Sequence, residues 1–335
     1  MDITLLDQFA DELVSAFINP QKRVFWGYLF MAFAIGIGWL CWQHRCSFFG
    51  ALGQMLNPAV WWSHSARADY KIFVINRLLM LLFGPWLVTR MVFAGWLFYS
   101  LHDLFGGRVL IGASLPQWAV MFSFTLIYFL LDDASRYLLH RWLHQVPWLW
   151  AFHKVHHSAT RLTPVTVFRA HPVEALLFTV RSALVQGVCI AAFVYFFGDR
   201  ADLITIFGSS FILFIFNVAG ANLRHSHIAI GYGKHAEKWL ISPAQHQLHH
   251  STNPSHFDCN FGVVLAIWDR LGGSLIVSKP GQRLRFGLNR QQQKAQLHTL
   301  HDLYLWPFYE AGSSLWSALL TVVKKTRGKF GLLYR

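Results

Sequence analysis

Long apolar stretches alternate with short polar ones along the chain and set the elements that it predicts. About 20 consecutive apolar residues are needed to cross the hydrocarbon core of a bilayer. Five stretches qualify as candidate spans, at residues 25–43, 78–100, 116–138, 175–197 and 203–222. The second contains Arg90 and a Gly-Pro-Trp sequence, so we expect it to be kinked or re-entrant. The last two are joined only by residues 198–202 and are predicted to form a hairpin.

The two ends of the chain predict surface helices rather than spans. Residues 1–24 begin with acidic side chains and have no small-residue cleavage site, so they favour an amphipathic helix over a signal peptide. Residues 302–323 are apolar but contain Pro307 and Gly312, and we expect an interfacial helix there. The predicted fold is therefore an all-α polytopic membrane helix bundle with four or five transmembrane spans.

Composition and charge support a membrane protein. The chain of 335 residues is 54% hydrophobic and only 13% charged, whereas about 25% charged residues is usual in soluble domains. Its net charge of +13 is spread along the chain, and we find no nucleic-acid-binding motif, so no nucleic-acid partner is expected. The basic residues collect in segments 136–174 and 223–335, which predicts that both lie on the cytoplasmic face, with the acidic N-terminus opposite. We expect a multi-pass protein of a bacterial inner membrane. The four cysteines form no CxxC pair and are interpreted as reduced packing residues.

Histidines carry the chemistry of this sequence. Of its 18 histidines, 13 lie between His140 and His256. Three short motifs stand out: HRWLH at 140–144, HKVHH at 153–157 and HQLHH at 246–250. Residues three or four apart share one face of a helix, so each motif can aim two or three imidazoles at one point. The candidate ligands are His140, His144, His153, His156, His157, His246, His249 and His250.

Eight gathered imidazoles indicate bound metal. They would repel one another if protonated, and they would cost free energy if buried without partners. Neutral imidazole is a preferred ligand of Zn, Cu, Fe and Ni, and a zinc site needs four ligands, so eight ligands imply two metals. The chain has only four glutamates, which do not supply the Glu-x-x-His pattern of a ferritin-like di-iron site, and it has no HExxH motif. What remains is a dinuclear, histidine-rich site at a membrane face.

The three motifs resemble the HxxxH, HxxHH and HxxHH boxes of the fatty acid hydroxylase superfamily, which includes sterol desaturases, sterol methyl oxidases and alkylglycerol monooxygenase. Three further segments are similar to that family: FRAHPVE at 168–174, NLRHSHI at 222–228 and NFGVVLAIWDRLGGS at 260–274. The resemblance implies two non-haem iron ions that activate O₂, with the eight box histidines as ligands. It also implies His225 as a ninth ligand. His171 either binds metal or orients a ligand, and the role of His227 is left open.

The implied reaction is O₂-dependent hydroxylation, or alternatively desaturation, of a C–H bond in a membrane lipid, with hydroxylation favoured. No catalytic residue beyond the metal ligands is assigned. Because no haem or dinucleotide-binding motif is found, we expect an external electron donor, such as a reductase, a ferredoxin or a cytochrome b5-like protein. Asp132 or Asp133, Glu174 and Asp258 are candidates for supporting the ligands, and Asp269 with Arg270 is predicted to form a structural turn.

These predictions divide the chain into an N-terminal amphipathic segment (1–24), an N-terminal transmembrane region (25–115), a catalytic region (116–278, with its membrane hairpin at 175–222) and a cytoplasmic or interfacial tail (279–335). Two other classes stay open: a histidine-rich protein for membrane metal binding or transport, and a zinc-dependent lipid hydrolase. The lipid, the carbon attacked and the oligomeric state are not predicted.

Overall fold

Helices make up most of the chain. The computed structural model describes residues 4–43, 45–84, 90–107, 115–206, 209–289 and 299–331, with the backbone alone for 206, 209 and 324–331. The α-helices are α1 (Leu5–Ile18), α2 (Trp26–Gln43), α3 (Phe48–Met55), α4 (Pro58–Trp61), α5 (His64–Phe83), α6 (Arg90–Phe105), α7 (Gln117–Gln145), α8 (Pro147–His157), α9 (Pro172–Phe197), α10 (Phe211–Val218), α11 (Gly233–Ala236), α12 (Pro243–His249), α13 (Ile267–Leu271), α14 (Leu300–Tyr304) and α15 (Trp306–Gly331). Short 3₁₀ helices cover Pro164–Phe168, Gly198–Arg200, Ala221–His225 and Pro254–His256. Strands β1 (Thr205–Ile206) and β2 (Ser209–Ser210) pair antiparallel.

Local sequence signals explain where several helices begin. The predicted N-terminal helix is confirmed as α1, which starts at a capping box formed by Thr4 and Asp7. The helices that carry the second and third histidine boxes, α8 and α12, each begin with a proline, Pro147 and Pro243. Proline suits this position because its missing N–H would have no intrahelical partner there.

Two helices in the described part of the chain, Gln117–Gln145 and Pro172–Arg200, are long and apolar enough to cross a membrane. On α9 the side chains of Leu176, Val180, Leu184 and Val188 are exposed. They recur every four residues along one face, as expected of a surface that contacts lipid tails. The all-helical prediction is met, whereas the count of four or five spans and the cytoplasmic placement of the site stay predictions.

The stretch at 203–222 does not form the single spanning helix that its hydropathy predicts. It contains the β1–β2 pair and then α10, whose eight residues extend only about 12 Å against a hydrocarbon core of about 30 Å. Gly220 follows with a φ of 90°, a left-handed conformation that ends the helical path. The chain still returns to the histidines, because His225 closes the next 3₁₀ helix.

Two other predicted segments are also divided in the structure. The stretch 78–100 is shared between α5 and α6, and residues 85–89 between them lie outside the described residues. The stretch 302–323 is split at Leu305, between α14 and α15, and α15 continues through Gly312. Pro307 does not break the helix because it is the second residue of α15.

The long helices pack around the segment that holds the second box. Helix α9 lies against α6, where a Cβ on Gly187 would come 3.3 Å from two backbone atoms of α6, so glycine permits this close approach. Helix α15 covers α8 through an ion pair between Glu310 and Lys154 and through contact of Phe308 with Phe152. This packing buries α8 and its three histidines inside the protein.

Candidate metal centre

Histidines converge on two adjoining points in the fold. In the described part of the chain, two groups of side chains could each hold a metal ion, and their ligand atoms lie within 4.8 Å of one another in each group. Group A comprises His140, His144, His153, His157 and His249, and group B comprises His156, His225, His246 and His250. The groups adjoin, since the rings of His157 and His250 stack with centroids 4.5 Å apart. These nine residues are nine of the ten candidates that the sequence singled out.

Helical spacing divides the second and third boxes between the two groups. On α8, His153 and His157 are four residues apart and belong to group A, whereas His156 points into group B. On α12 the pattern is reversed: His246 and the capping His250 belong to group B, while His249 belongs to group A. Each box therefore aims two imidazoles at one point, as the spacing predicts, and each HxxHH box sends its third imidazole to the other point.

Backbone carbonyls fix the orientation of two group A imidazoles. The Nδ1 atom of His140 donates to the carbonyl of Phe261 at 2.8 Å, and Nδ1 of His249 donates to the carbonyl of Cys259 at 2.7 Å. A carbonyl can only accept, so these Nδ1 atoms carry the hydrogen and the Nε2 lone pair is left free. Nε2 of His249 is buried and has no partner in the part of the chain that the structure describes. A metal ion would satisfy it.

A carboxyl group holds a third imidazole of group A. Nδ1 of His153 lies 2.9 Å from Oε1 of Glu174, and both side chains are almost fully buried. Nε2 of His153 is buried, and no described residue bonds it. Metal-binding histidines usually donate their second N–H to such a group, so the predicted supporting role of Glu174 agrees with its position in the first turn of α9.

The nitrogen spacing in group B suits a metal site. The Nε2 atoms of His156 and His225 are 3.2 Å apart, those of His225 and His246 are 3.0 Å apart, and those of His246 and His250 are 3.2 Å apart. Nitrogens bound at about 2.0–2.1 Å around one tetrahedral metal would be separated by about 3.3–3.4 Å. The residues present therefore fit a cation within each group.

The imidazoles are held neutral. Burial, followed by repulsion from neighbouring imidazoles, keeps the pKa of His157, His246 and His250 well below the ordinary value. Burial likewise lowers the pKa of His156 to about 3. The metal-binding form of these side chains is thus the stable one at neutral pH.

Two buried aspartates organise the segment that follows the third box. Asp269 accepts hydrogen bonds from the backbone N–H groups of Phe261 and Gly262, at 2.8 and 2.7 Å, which orients the peptide whose carbonyl binds His140. A Cβ on Gly262 would lie 2.7 Å from the carbonyl oxygen of Leu265, so only glycine fits here. Asp269 and Arg270 lie on the short helix α13 and not in the predicted turn, but Asp269 does have a structural role, through which it also supports a candidate ligand.

Asp133 connects this same segment to α7. Its carboxylate accepts from the backbone N–H groups of Val264 and Leu265, at 3.0 and 2.9 Å, and from the indole N–H of Trp268 at 3.0 Å. Asp132 instead pairs with Arg136 and Arg181, each at 2.8 Å. The sequence predicts a partner for one of the two aspartates, and the structure supplies partners for both.

Sequence reasoning missed two residues that hold the histidine segments together. Arg169, fully buried, bonds the carbonyl of Val155 and the hydroxyl of Ser158 at the end of α8, and it pairs with the equally buried Asp69 at 2.8 Å. Its place inside the FRAHPVE segment was the available signal. Gln247, within the third box, donates to the carbonyls of Ser226 and Ile228 at 3.0 Å and so ties α12 to the chain beside His225.

His171 lies outside both groups and is withdrawn as a candidate ligand. Its Nδ1 accepts from the N–H of Val173 at the start of α9, and its Nε2 donates to the carbonyl of Tyr304 at 3.0 Å. Both ring nitrogens are therefore engaged, and the residue caps α9 and joins it to α14. His227 is also outside the groups, since its Nε2 donates to the carbonyl of Gln54 at 2.8 Å.

Asp258 does not make the supporting contact that its position after the third box suggests. Its Oδ1 lies 3.7 Å from Nδ1 of His144, beyond hydrogen-bond distance, and 59% of its side chain is exposed. It lines, with His144 and His157, a cavity of about 140 Å³ that reaches group A.

Comparison with known proteins places the site in a family. Residues 125–274 match the fatty acid hydroxylase family model, a range that contains all nine clustered histidines. The chain is 24% identical over 200 residues to an alkylglycerol monooxygenase of Xenopus tropicalis (58% of this chain, 40% of that protein), and 26% identical over 193 residues to a cholesterol 25-hydroxylase of Rattus norvegicus (56% and 58%). It is 29% identical over 170 residues to a Delta(7)-sterol 5(6)-desaturase of Eremothecium gossypii (51% and 41%). No solved structure matches it.

Residues 125–274 thus form a fatty acid hydroxylase domain by the family model, and the resemblance of the histidine boxes is confirmed. The relatives are oxidoreductases by name, both monooxygenases and desaturases. The match covers less than two thirds of the length of each of these relatives.

Proposed function

We propose that the protein is a membrane-bound, metal-dependent oxygenase that hydroxylates, or alternatively desaturates, a C–H bond of a lipid. The observation that carries this proposal is the pair of adjoining groups of buried imidazoles within a fatty acid hydroxylase domain. The two apolar helices Gln117–Gln145 and Pro172–Arg200 each bring a part of the site to the membrane: α7 carries the first box, and α9 carries Glu174.

We assign one iron ion to each group, with the nine histidines as ligands. The bound irons would supply the activation of O₂, and the protein supplies their position and the exclusion of water. Three contacts support this assignment: carbonyls orient the rings of His140 and His249, and Glu174 orients that of His153. Burial keeps the imidazoles neutral.

The electron balance requires a partner. Hydroxylation consumes one lipid C–H bond, one O₂, two electrons and two protons, and releases one lipid hydroxyl group and one water. Two of the four electrons that reduce O₂ come from the substrate, and we propose that an external carrier, such as a reductase, a ferredoxin or a cytochrome b5-like protein, supplies the other two. We propose that such a carrier docks on the basic face that the tail from residue 223 helps to form.

The cavity beside His144 suggests how small molecules reach group A. Its volume of about 140 Å³ is close to that of an apolar cavity able to hold benzene, about 150 Å³. It can therefore admit O₂ or a short alkyl segment but not a whole lipid. We propose that O₂ uses this opening, between Trp150 and Asp258, and that the lipid approaches from the membrane.

Metal content and oxygen labelling test the proposal together. The purified, reduced protein should contain about two irons per chain and should transfer label from ¹⁸O₂ to a lipid hydroxyl group. His249→Ala in group A and His246→Ala in group B should each lose metal and activity, whereas His235→Ala, an exposed histidine on α11, should retain both. Zinc in place of iron with no O₂ uptake would favour a hydrolase. Bound metal without lipid oxidation in the presence of a reductant would favour a metal-binding protein.

A further inference from the structure

A second cavity lies on the flank of the helices, away from the cavity beside His144. It has a volume of about 500 Å³ and opens where α5, α6, α7 and α9 meet. Part of its wall is apolar, formed by Met80, Phe178 and Ala183, and the rest carries three arginines, Arg90, Arg136 and Arg181. This cavity has both apolar and positively charged walls and lies beside the two candidate membrane-spanning helices. Such a site suits an amphiphile with an acidic headgroup.

The charges around this cavity do not balance. Arg136 and Arg181 share a single carboxylate, that of Asp132, at 2.8 Å each. Arg90 donates to the neutral side chain of Gln186 at 2.8 Å. No acidic side chain lines the described wall of the cavity. Three guanidinium groups against one carboxylate leave two positive charges without a counter-charge among these contacts.

The Nε–H group of Arg181 is a further feature of this cavity. The Nη1 of this arginine donates to Asp132 and to the hydroxyl of Ser135, at 2.8 and 2.7 Å. Its side chain is only 10% exposed, yet its Nε is buried and has no hydrogen-bond partner among the described residues. A buried unpaired donor costs free energy, and an acidic ligand in the cavity would remove that cost.

We propose that this cavity binds the anionic headgroup of the lipid substrate, a carboxylate or a phosphate. Guanidinium groups bind both by paired hydrogen bonds. The identification of the bound lipid as the substrate rests on the oxygenase function proposed above, whereas its binding does not.

The helices connect this cavity to the metal centre. Arg136 precedes His140 of group A by one turn of α7, about 6 Å along the axis, and Arg181 follows Glu174 by about two turns of α9, about 10 Å. A headgroup held by these arginines would therefore place the first carbons of its chain nearest to the histidines. Oxidation is expected within about 10 Å of the headgroup rather than at the far end of the chain.

Lipid binding tests this inference directly. The full chain, in nanodiscs of phosphatidylcholine, is given spin-labelled stearic acid, phosphatidic acid or stearyl alcohol, and electron paramagnetic resonance measures the immobilised fraction. At least one of the two acids should associate more strongly than the alcohol, and the preferred acid identifies carboxylate or phosphate as the headgroup. Arg181→Gln and Arg90→Gln should each weaken that association by about tenfold or more. Arg90→Gln leaves both ion pairs of Asp132 intact, so weaker association in this variant cannot be attributed to loss of those ion pairs.

Arg200→Gln is the matched control, because Arg200 lies beyond the other end of α9 and bonds the carbonyl of Leu115. Its lipid association should equal that of the wild type. Equal association of the acids and the alcohol, or wild-type association in both cavity variants, would overturn the inference. These binding measurements do not require catalysis. If the protein binds acids selectively but oxidises no lipid, the oxygenase function is rejected and the lipid-binding site is not.

Discussion

Replacement of Glu174 tests how the metal centre is held. Glu174→Leu removes the acceptor that lies 2.9 Å from Nδ1 of His153, whereas Glu174→Gln retains an oxygen of similar shape but no charge. A buried hydrogen-bonding group that loses its partner costs about 1–3 kcal/mol, and partners of metal-binding histidines are typically worth about 10–100-fold in metal affinity. Because both side chains are almost fully buried, water cannot replace the lost contact. We expect Glu174→Leu to weaken metal affinity by about 10–100-fold and Glu174→Gln by about tenfold or less.

Competition with a chelator measures these affinities in the purified full chain, and circular dichroism checks that each variant keeps its helices. Glu310→Gln is the matched control, because Glu310 pairs with Lys154, the neighbour of His153 on α8. It removes an ion pair from the same helix without contact to a clustered imidazole, so its metal affinity should equal that of the wild type. Wild-type affinity in a folded Glu174→Leu protein would refute the assignment of His153 as a ligand oriented by Glu174.

Three further predictions concern stability, metal content and pH. Asp69→Ala should lower the free energy of unfolding by about 3–5 kcal/mol, because it removes the carboxylate that pairs with the fully buried Arg169. Loss of the more exposed carboxylate in Glu12→Ala should cost less than about 1 kcal/mol. Similar shifts of the melting temperature in the two variants would contradict this prediction. Gly262→Ala should displace the chain after the third box and reduce the amount of bound metal without changing the helix content. A wild-type metal content would contradict this, because it would show that the segment accommodates the added methyl group. The metal-free protein should lose stability as pH falls below about 6.5, the unfolded pKa of histidine, by about 1.4 kcal/mol per pH unit for each buried imidazole. The pKa values of these histidines are lowered in the folded state, to about 3 for His156, so the unfolded state takes up protons first as the pH falls. A melting temperature that stays constant between about pH 7 and pH 5 would exclude this loss of stability.

The candidate ligands could be predicted because their signal is local. A spacing of three or four residues is fixed by the helix itself, so the boxes on α7, α8 and α12 are visible in the sequence. His225 was found only through the resemblance of its segment, since it stands outside any box. His171 sits in a segment with an equally good resemblance, but its two ring nitrogens bond Val173 and Tyr304. Resemblance alone did not distinguish these two residues.

What the sequence could not predict depends on contacts between distant segments. Asp133 supports Val264 and Leu265 across more than one hundred residues, and Arg169 reaches back to Asp69 on α5. Contacts between residues so far apart produce no periodic pattern in the sequence. The hydropathy of 203–222 misled because an apolar composition does not fix the length of a helix. Helix α10 has only eight residues, and none of them is buried.

The division of the two HxxHH boxes has a consequence for the order of metal loading. Helices α8 and α12 each contribute imidazoles to both groups, so neither group can be ordered without ordering part of the other. The first ion to bind would meet the entropic cost of fixing both helices, and the second would find its ligands already in place. A two-ion centre built in this way should fill cooperatively, with few singly loaded molecules at any metal concentration. Damage to one group should then empty both.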